Sequence, residues 1–295
     1  MKKTLILILA AIPTGIAVGA VDAVFGRLLR FEDAPRIMLI TGMSAGFAGL
    51  FRTPFAATAF AMEVLTAGRL EHRALLPAAT AALCASATSG LLGLEKFTFA
   101  VTELPDWNAE LLIKLAVLGL AFGLAGAAFT YLLKKCKKEA QTRLKNPILR
   151  IFVMGLALSA VLLILWQGRY SGLGTNLINA SFAGGTVYAW DWAAKLVLTA
   201  LTLSAGYQGG EVTPLFSIGA SLGAAASGLI GLPAALCAAM GYAAVFGSAT
   251  NTLIAPALIG AEVFGWAAAP YMLVTCALAY AVNGNGSIYS GQRKG

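Results

Sequence analysis

The interpretation of this chain starts from residues 206–216, Gly206-Tyr207-Gln208-Gly209-Gly210-Glu211-Val212-Thr213-Pro214-Leu215-Phe216. They set a carboxylate, a hydroxyl and three glycines between two strongly apolar segments. Lipid offers no partner to irregular polar backbone, which survives at membrane depth only where it lines a cavity or is buried in protein. Pro214 suits the first turn of a helix, and the N–H groups of residues 211–213 would then lie free at the positive end of its dipole. The stretch therefore predicts a site for a dehydrated anion.

Composition places the whole chain in a bilayer. The 295 residues are 59% hydrophobic and 12% charged, with a mean hydropathy of +0.79. Soluble proteins carry about 25% charged residues. The apolar runs are continuous and lack the period-two alternation of an outer-membrane barrel. The sequence predicts an all-α, polytopic membrane protein.

The net charge of +8 comes mostly from short runs that flank apolar segments. We interpret it as a topology signal and predict no nucleic-acid partner. The four cysteines lie far apart and His72 has no ligand at helical spacing, so neither a disulfide framework nor a metal site is predicted. No Walker loop or Ser-His-Asp constellation is present, which argues against an enzyme and predicts no cofactor.

Apolar segments divide the chain into short, unequal pieces. Residues 4–25 predict a retained first helix, and the run 37–66 is broken at Arg52-Thr53-Pro54. Further glycine, proline or polar breaks lie at 231–233, 248–252 and 269–270. This pattern predicts discontinuous helices around a midplane site. We divide the chain into a shortened first transmembrane half at 1–133, a basic cytoplasmic linker at 134–150 and a second half at 151–295.

An internal repeat supports that division. Gly46-Phe47-Ala48-Gly49-Leu50-Phe51 aligns with Gly241-Tyr242-Ala243-Ala244-Val245-Phe246, and each copy is followed by a break, an apolar segment and a Glu-Val pair. The layout is typical of duplicated transporter halves, although short matches in apolar sequence also arise by chance. Three residues at the breaks are assigned structural roles: Pro54, Asn251 and Thr252.

The polar residues near the central stretch allow alternatives. Glu211 could carry a proton, gate an anion, or hold the loop as a helix-capping carboxylate. The Thr213 hydroxyl could donate to an anion or bond to local backbone. Tyr289 could donate a hydrogen bond if the polar tail folds back, or anchor at the interface. Lys114 and Lys195 are predicted to extend to an interface.

The central stretch also resembles a known family. Gly209-Gly210-Glu211-Val212-Thr213-Pro214-Leu215-Phe216, followed by Gly219-Ala220-Ser221-Leu222-Gly223, is similar to the second-half anion motif of the CLC family. Glu-Val-Thr in the variable positions resembles its fluoride/proton antiporter branch. The segments from Gly46 to Glu63, from Leu173 to Ile178 and at Ala249-Thr250-Asn251-Thr252 resemble other parts of the family, and Tyr289 matches its anion-site tyrosine.

The resemblance implies an inverted-repeat fold and a homodimer in which each subunit carries one anion pathway. It implies that fluoride leaves the cell in exchange for an entering proton, with an anion pathway formed by Gly209, Gly210, Glu211, Val212, Thr213 and Tyr289. The family's first-half anion motifs, including a Gly-Arg-Glu-Gly segment with its gating glutamate, have no counterpart here. Relative to the family pattern, a stretch long enough for about four membrane-spanning passes is absent between residues 4–30 and the segment before Gly46.

Three functional hypotheses follow. The first is transport of small halide anions, fluoride or chloride, across a bacterial-type inner membrane, most directly as proton-coupled fluoride export. The second is a non-transporting remnant or an assembly partner of a full-length CLC protein. The third is an uncoupled anion leak through an incomplete gate.

Overall fold

The computed structural model describes residues 33–207 and 209–293. Over these residues the chain is helical and has no β-strand; its β-type pairing is one isolated bridge between Thr66 and Arg293. The predicted first helix at 4–25 lies outside the described residues. Five of the described helical segments are long and apolar enough to cross a bilayer: Ala34–Phe51, His72–Leu91, Ala109–Arg143, Pro147–Ile164 and Val212–Ile230.

The described residues form two compact units, and residues 33–63 with 69–96 make the first. It contains α1 (Ala34–Phe51), α2 (Pro54–Glu63) and, after a short 3-10 turn at His72–Ala74, α3 (Leu75–Leu91). The Ser44 hydroxyl of α1 donates to the Ala78 carbonyl of α3 at 3.0 Å, so these helices approach closely. Small side chains make such close packing possible in an apolar solvent.

The second unit comprises residues 64–68 and 97–293. Its helices are α4 (Ala109–Arg143), α5 (Pro147–Ile164), α6 (Thr175–Phe182), α7 (Asp191–Ala205), α8 (Val212–Ile230), α9 (Ala234–Thr250), α10 (Ile254–Phe264) and α11 (Ala269–Val282). Asparagine caps begin two of them: the Asn108 side chain accepts from the Leu111 N–H, and Asn146 accepts from the Ile148 N–H. The basic residues at 134–143 continue α4 as helix.

Helix α9 is the centre of the second unit, because every residue from Leu236 to Thr250 is buried. A helix that is apolar all round must be enclosed on all sides. Its end is fastened to α4 by two hydroxyls. Ser248 donates to the Gly123 carbonyl at 2.8 Å, and Thr130 donates to the Ala249 carbonyl at 3.3 Å.

Helices α8 and α9 pack with their backbones in contact. A side chain at Gly219 would overlap the carbonyl oxygen of Gly241, and one at Gly223 would overlap the carbonyl of Cys237. Glycines four residues apart lie on one face of a helix and let another helix approach closely. The Gly219-to-Gly223 motif therefore sets the position of α8, whose N-terminus carries the residues predicted to bind an anion.

Adding one methyl group to this contact should separate α8 from α9. We expect Gly219→Ala to lower the free energy of unfolding by about 1–3 kcal/mol, because overpacking a close helix contact forces the backbones apart. The measurement is the unfolding midpoint of detergent-solubilised protein. Gly228→Ala is the matched control on α8, since a side chain there meets open space, and a similar loss in both variants would contradict the packing argument.

Candidate anion site

The N-terminus of α8 presents free backbone donors, as the sequence predicted. The first hydrogen bond of the helix runs from the Leu215 N–H to the Glu211 carbonyl at 3.2 Å. Pro214 in the first turn has no N–H to offer. Within the described chain, the N–H groups of Glu211, Val212 and Thr213 donate no hydrogen bond. These donors lie at the positive end of a 19-residue helix, an arrangement that favours anions.

The Thr213 hydroxyl adds a further donor. Many hydroxyls in this chain bond to the carbonyl four residues earlier, as Thr41 and Thr58 do. Thr213 makes no such bond to any described residue and is half-buried. The sequence left two roles open for the Thr213 hydroxyl: a bond to an anion or a bond to local backbone. The described residues contain no such backbone bond.

Glu211 lies directly before α8 as its N-cap residue, and its side chain does not cap the helix. The carboxylate is half-buried and has no ion-pair partner within 4.0 Å among the described residues. Lys137, near the end of α4, attracts it electrostatically at longer range. Gly209 and Gly210 before it are exposed. Glu211 is therefore a half-buried carboxylate with no ion pair or capping bond among the described residues.

The polar tail folds back, which the sequence left open. Ile288 donates its N–H to the Ala249 carbonyl at 2.9 Å, and Ser287 donates its hydroxyl to the Thr250 carbonyl at 3.2 Å. This fixes Tyr289, whose phenol lies near enough to the Glu211 carboxylate for an electrostatic interaction. The tail therefore brings Tyr289 to the same region as the N-terminus of α8, although the two are far apart in sequence.

The break after α9 holds the tail in place. Asn251 ends α9 with a left-handed backbone at φ 57°, and its side chain donates to Gln292 at 3.1 Å and accepts from Asn283 at 3.0 Å. Thr252 and Thr250 share a hydrogen bond of 2.7 Å between their hydroxyls. Asn251 and Thr252 lie together at this break, fully or almost fully buried.

The first unit contains a break of the same kind. Arg52 ends α1 with a left-handed backbone at φ 55°, and Pro54 begins α2. Arg52 donates to the Leu94 carbonyl at 3.0 Å. Each unit thus repeats one local pattern. A long helix ends at a left-handed residue, which is followed by a buried threonine and then by a helix of 10 or 11 residues.

Sequence reasoning missed a buried ionic cluster that joins the loop before α6 to the start of α7. Asp191 is fully buried and accepts hydrogen bonds from Arg169 at 2.6 and 3.1 Å, from the Tyr170 hydroxyl at 2.7 Å and from the Tyr188 N–H at 2.9 Å. A carboxylate with four donors is fully satisfied. The sequence indicates this ion pair only through the presence of Asp191 and of Arg169, 22 positions earlier. Residues so far apart in sequence cannot be paired in advance.

Lys195 corrects a prediction. It was expected to extend to an interface, but it is 1% exposed, and its ammonium donates to the carbonyls of Tyr170 and Gly172 at 3.0 and 2.7 Å. It shapes the loop that leads into α6. Lys114 does extend outward, where it pairs with Glu110 at 2.7 Å.

Comparison with known proteins assigns the family. The sequence model of the voltage gated chloride channel family matches residues 4–284. This chain belongs to that family, the CLC family. Its helical fold is the CLC transporter fold: it superimposes on the crystal structure of a CLC-type fluoride/proton antiporter with a TM-score of 0.89, at 49% identity over 96% of this chain and 72% of the other. A slow cyanobacterial Cl⁻/H⁺ antiporter shares the fold at a TM-score of 0.74 and 21% identity, over 89% of this chain and 65% of the other.

Two curated CLC relatives are longer than this chain. It is 36% identical to a chloride/fluoride channel protein of Pseudomonas syringae pv. tomato, over 90% of this chain and 60% of the relative. It is 26% identical to a voltage-gated ClC-type chloride channel of Salmonella dublin, over 86% of this chain and 63% of the relative. The chain thus spans somewhat more than half the length of these relatives. It is an integral membrane protein of the CLC family.

The ionic cluster gives a test at alkaline pH. Burial, and then the bond to the Asp191 carboxylate, raise the pKa of Tyr170 to about 12, above the ordinary value of about 10. The folded protein keeps this proton at a pH where the unfolded chain releases it. The stabilisation is complete below pH 10 and is lost as pH rises towards 12.

We therefore expect the free energy of unfolding to fall between pH 10 and pH 12 more steeply in the wild-type protein than in Tyr170→Phe. Unfolding midpoints of solubilised protein at stepped pH values measure this. Tyr131→Phe removes a tyrosine that is 66% exposed and serves as the control. Equal slopes in wild type and Tyr170→Phe would show that Tyr170 does not contribute.

Proposed function

We propose that this chain transports small halide anions across a bilayer and that its physiological reaction is fluoride export in exchange for protons. The observation that carries the proposal is the set of free donors at the start of α8: three backbone N–H groups and the Thr213 hydroxyl. A small anion loses its hydration shell on entering such a site, so donors must replace the water. Free donors at the positive end of a helix serve that purpose.

The choice of fluoride rests on similarity and on the motif. The CLC-type fluoride/proton antiporter on which this chain superimposes is 49% identical to it. The curated Pseudomonas relative is named as a chloride/fluoride channel. Glu211-Val212-Thr213 occupies the variable positions of the anion motif. Chloride remains the competing substrate in any test of selectivity.

The remaining parts of the proposal extend the family membership. Gly209, Gly210, Val212, Thr213 and Tyr289 would line the anion pathway, and Glu211 would carry the proton. The chain would work as a homodimer in a bacterial inner membrane, with residues 134–150 on the cytoplasmic side between a first half at 1–133 and a second half at 151–295. The positive-inside tendency supports that orientation, because residues 134–150 hold seven lysines and arginines.

Thr213 tests the anion site. Hydrogen bonds to charged groups contribute about 1.5–3 kcal/mol, so we expect Thr213→Ala to slow fluoride efflux from proteoliposomes by about ten-fold or more. Ser227→Ala is the matched control at the other end of α8, where the hydroxyl bonds to the Ala224 carbonyl. Efflux that is equally fast in both variants would exclude Thr213 from the pathway. No efflux from correctly inserted wild-type protein would instead support a remnant or an assembly partner.

Glu211 tests the coupling to protons. Glu211→Gln keeps the size of the side chain and removes its titratable proton, so we expect fluoride efflux to continue but to lose its response to an imposed proton gradient. Glu139→Gln alters an exposed carboxylate that pairs with Arg143 and is the control. Loss of all efflux in Glu211→Gln would indicate that the carboxylate holds the loop, and an unchanged gradient response would exclude it as the proton carrier.

A further inference from the structure

A groove runs along the first half of α5, next to the loop that precedes the anion motif. Its volume is about 470 Å³, and it is lined by Ile148, Ile151, Phe152, Leu156, Ser159 and Tyr207. Ligand sites for small molecules have volumes of about 300–1,000 Å³. Gly155 forms the floor, where a side chain would overlap the Tyr207 hydroxyl. The groove is therefore an open, apolar depression on the surface of α5.

The face that carries this groove points away from the protein. Ile148 is 79% exposed, Phe152 66% and Leu156 67%, and the buried residues of the 18-residue helix α5 are Gly155 and Leu158. In a membrane protein such a face meets acyl chains. Because a bilayer is as apolar as the groove, burial alone gives a bound chain little advantage over bulk lipid. Any preference for a particular lipid must come from its head group.

Positive charge is concentrated at the end of α5 where the groove begins. Residues 134–150 contain seven basic residues and one acidic residue, and that acid, Glu139, already pairs with Arg143. Arg150 lies in the first turn of α5 and has no carboxylate within 4.0 Å among the described residues. Its guanidinium donates instead to the carbonyls of Ala205 and Leu144, both at 3.3 Å. A half-buried cation without a counter-charge suits a lipid phosphate.

We propose that this groove binds one anionic phospholipid, with an acyl chain against Tyr207 and the phosphate at Arg150 and Lys145. Clusters of four to eight basic residues beside a spanning helix favour anionic lipid by about 1 kcal/mol per residue. Tyr207 forms one wall and donates to the Ile151 carbonyl at 3.3 Å. It precedes Gly209 by two residues and Glu211 by four. A bound chain therefore braces the loop that enters the anion site.

Lipid retention measures the site without reference to transport. Purified full-length protein is equilibrated with phosphatidylglycerol or with phosphatidylcholine of the same acyl chains, and bound lipid is counted by native mass spectrometry. We expect one phosphatidylglycerol per chain to be retained in preference to phosphatidylcholine. Ser159→Phe, which fills the groove, should abolish the bound lipid. Arg150→Gln should weaken the preference about five-fold, the equivalent of about 1 kcal/mol.

Leu163→Phe is the matched control, because Leu163 is 73% exposed on the same helix and does not line the groove. It should leave lipid retention unchanged. Amide hydrogen exchange of residues 206–211 should slow on adding phosphatidylglycerol to the wild type and to Leu163→Phe, but not to Ser159→Phe. This second measurement reports bracing of the loop.

The proposal is overturned if the two lipids are retained equally, or if Ser159→Phe retains as much phosphatidylglycerol as the control. A change of oligomeric state in Ser159→Phe with unchanged lipid retention would also overturn it, since a second copy of the chain would then cover the groove. Arg150→Gln removes two hydrogen bonds to carbonyls as well as a charge. Should it fail to fold, Lys145→Gln tests the head-group charge in its place.

Discussion

The contact between the backbones of α8 and α9 is the constraint on which the second unit depends. Gly219 and Gly223 bring α8 against the carbonyls of Gly241 and Cys237, where no side chain would fit. Water is absent from the bilayer core, so helices there gain little from burying apolar surface and must associate through close packing. With α8 so fixed, Phe216 stacks on Tyr242 with ring centroids 3.9 Å apart. These contacts fix the N-terminus of α8 relative to α9.

The position of α8 matters to the proposed function because three of the four proposed anion donors are backbone N–H groups. N–H groups cannot change rotamer, so they point where the helix points. Binding by backbone donors therefore depends on packing several turns away from the site. The proposed site is also consistent with the absence of a capping bond from Glu211, because a carboxylate that capped α8 would occupy the donors proposed for an anion. The motif combines a rigid set of donors with an acidic side chain that makes no capping bond or ion pair among the described residues.

Sequence reasoning worked best where one short segment held the whole signal. The free N–H groups of residues 211–213 follow from Pro214 and the adjoining apolar run, and the breaks at Arg52 and Asn251 follow from local alignment of the repeat. The membership of the CLC family was likewise readable from contiguous motifs. Contacts between distant segments were different. Asp191 with Arg169, and Lys195 with the carbonyls of Tyr170 and Gly172, are contacts across 22 to 25 residues. How such separations close in three dimensions is not encoded in periodicity.

The tail illustrates why an isolated side chain is hard to interpret. Taken alone, Tyr289 has the properties of an interfacial anchor, and its neighbours are ordinary loop residues. Its position depends on Asn251, whose left-handed backbone turns the end of α9 and whose amide bonds to both Gln292 and Asn283. Gln292 in turn donates to the carbonyls of Val64 and Thr250, both at 3.0 Å. Because an unpaired backbone carbonyl is costly in an apolar interior, the break after α9 requires partners from elsewhere in the chain. The tail supplies them, and in doing so it carries Tyr289 to the neighbourhood of Glu211.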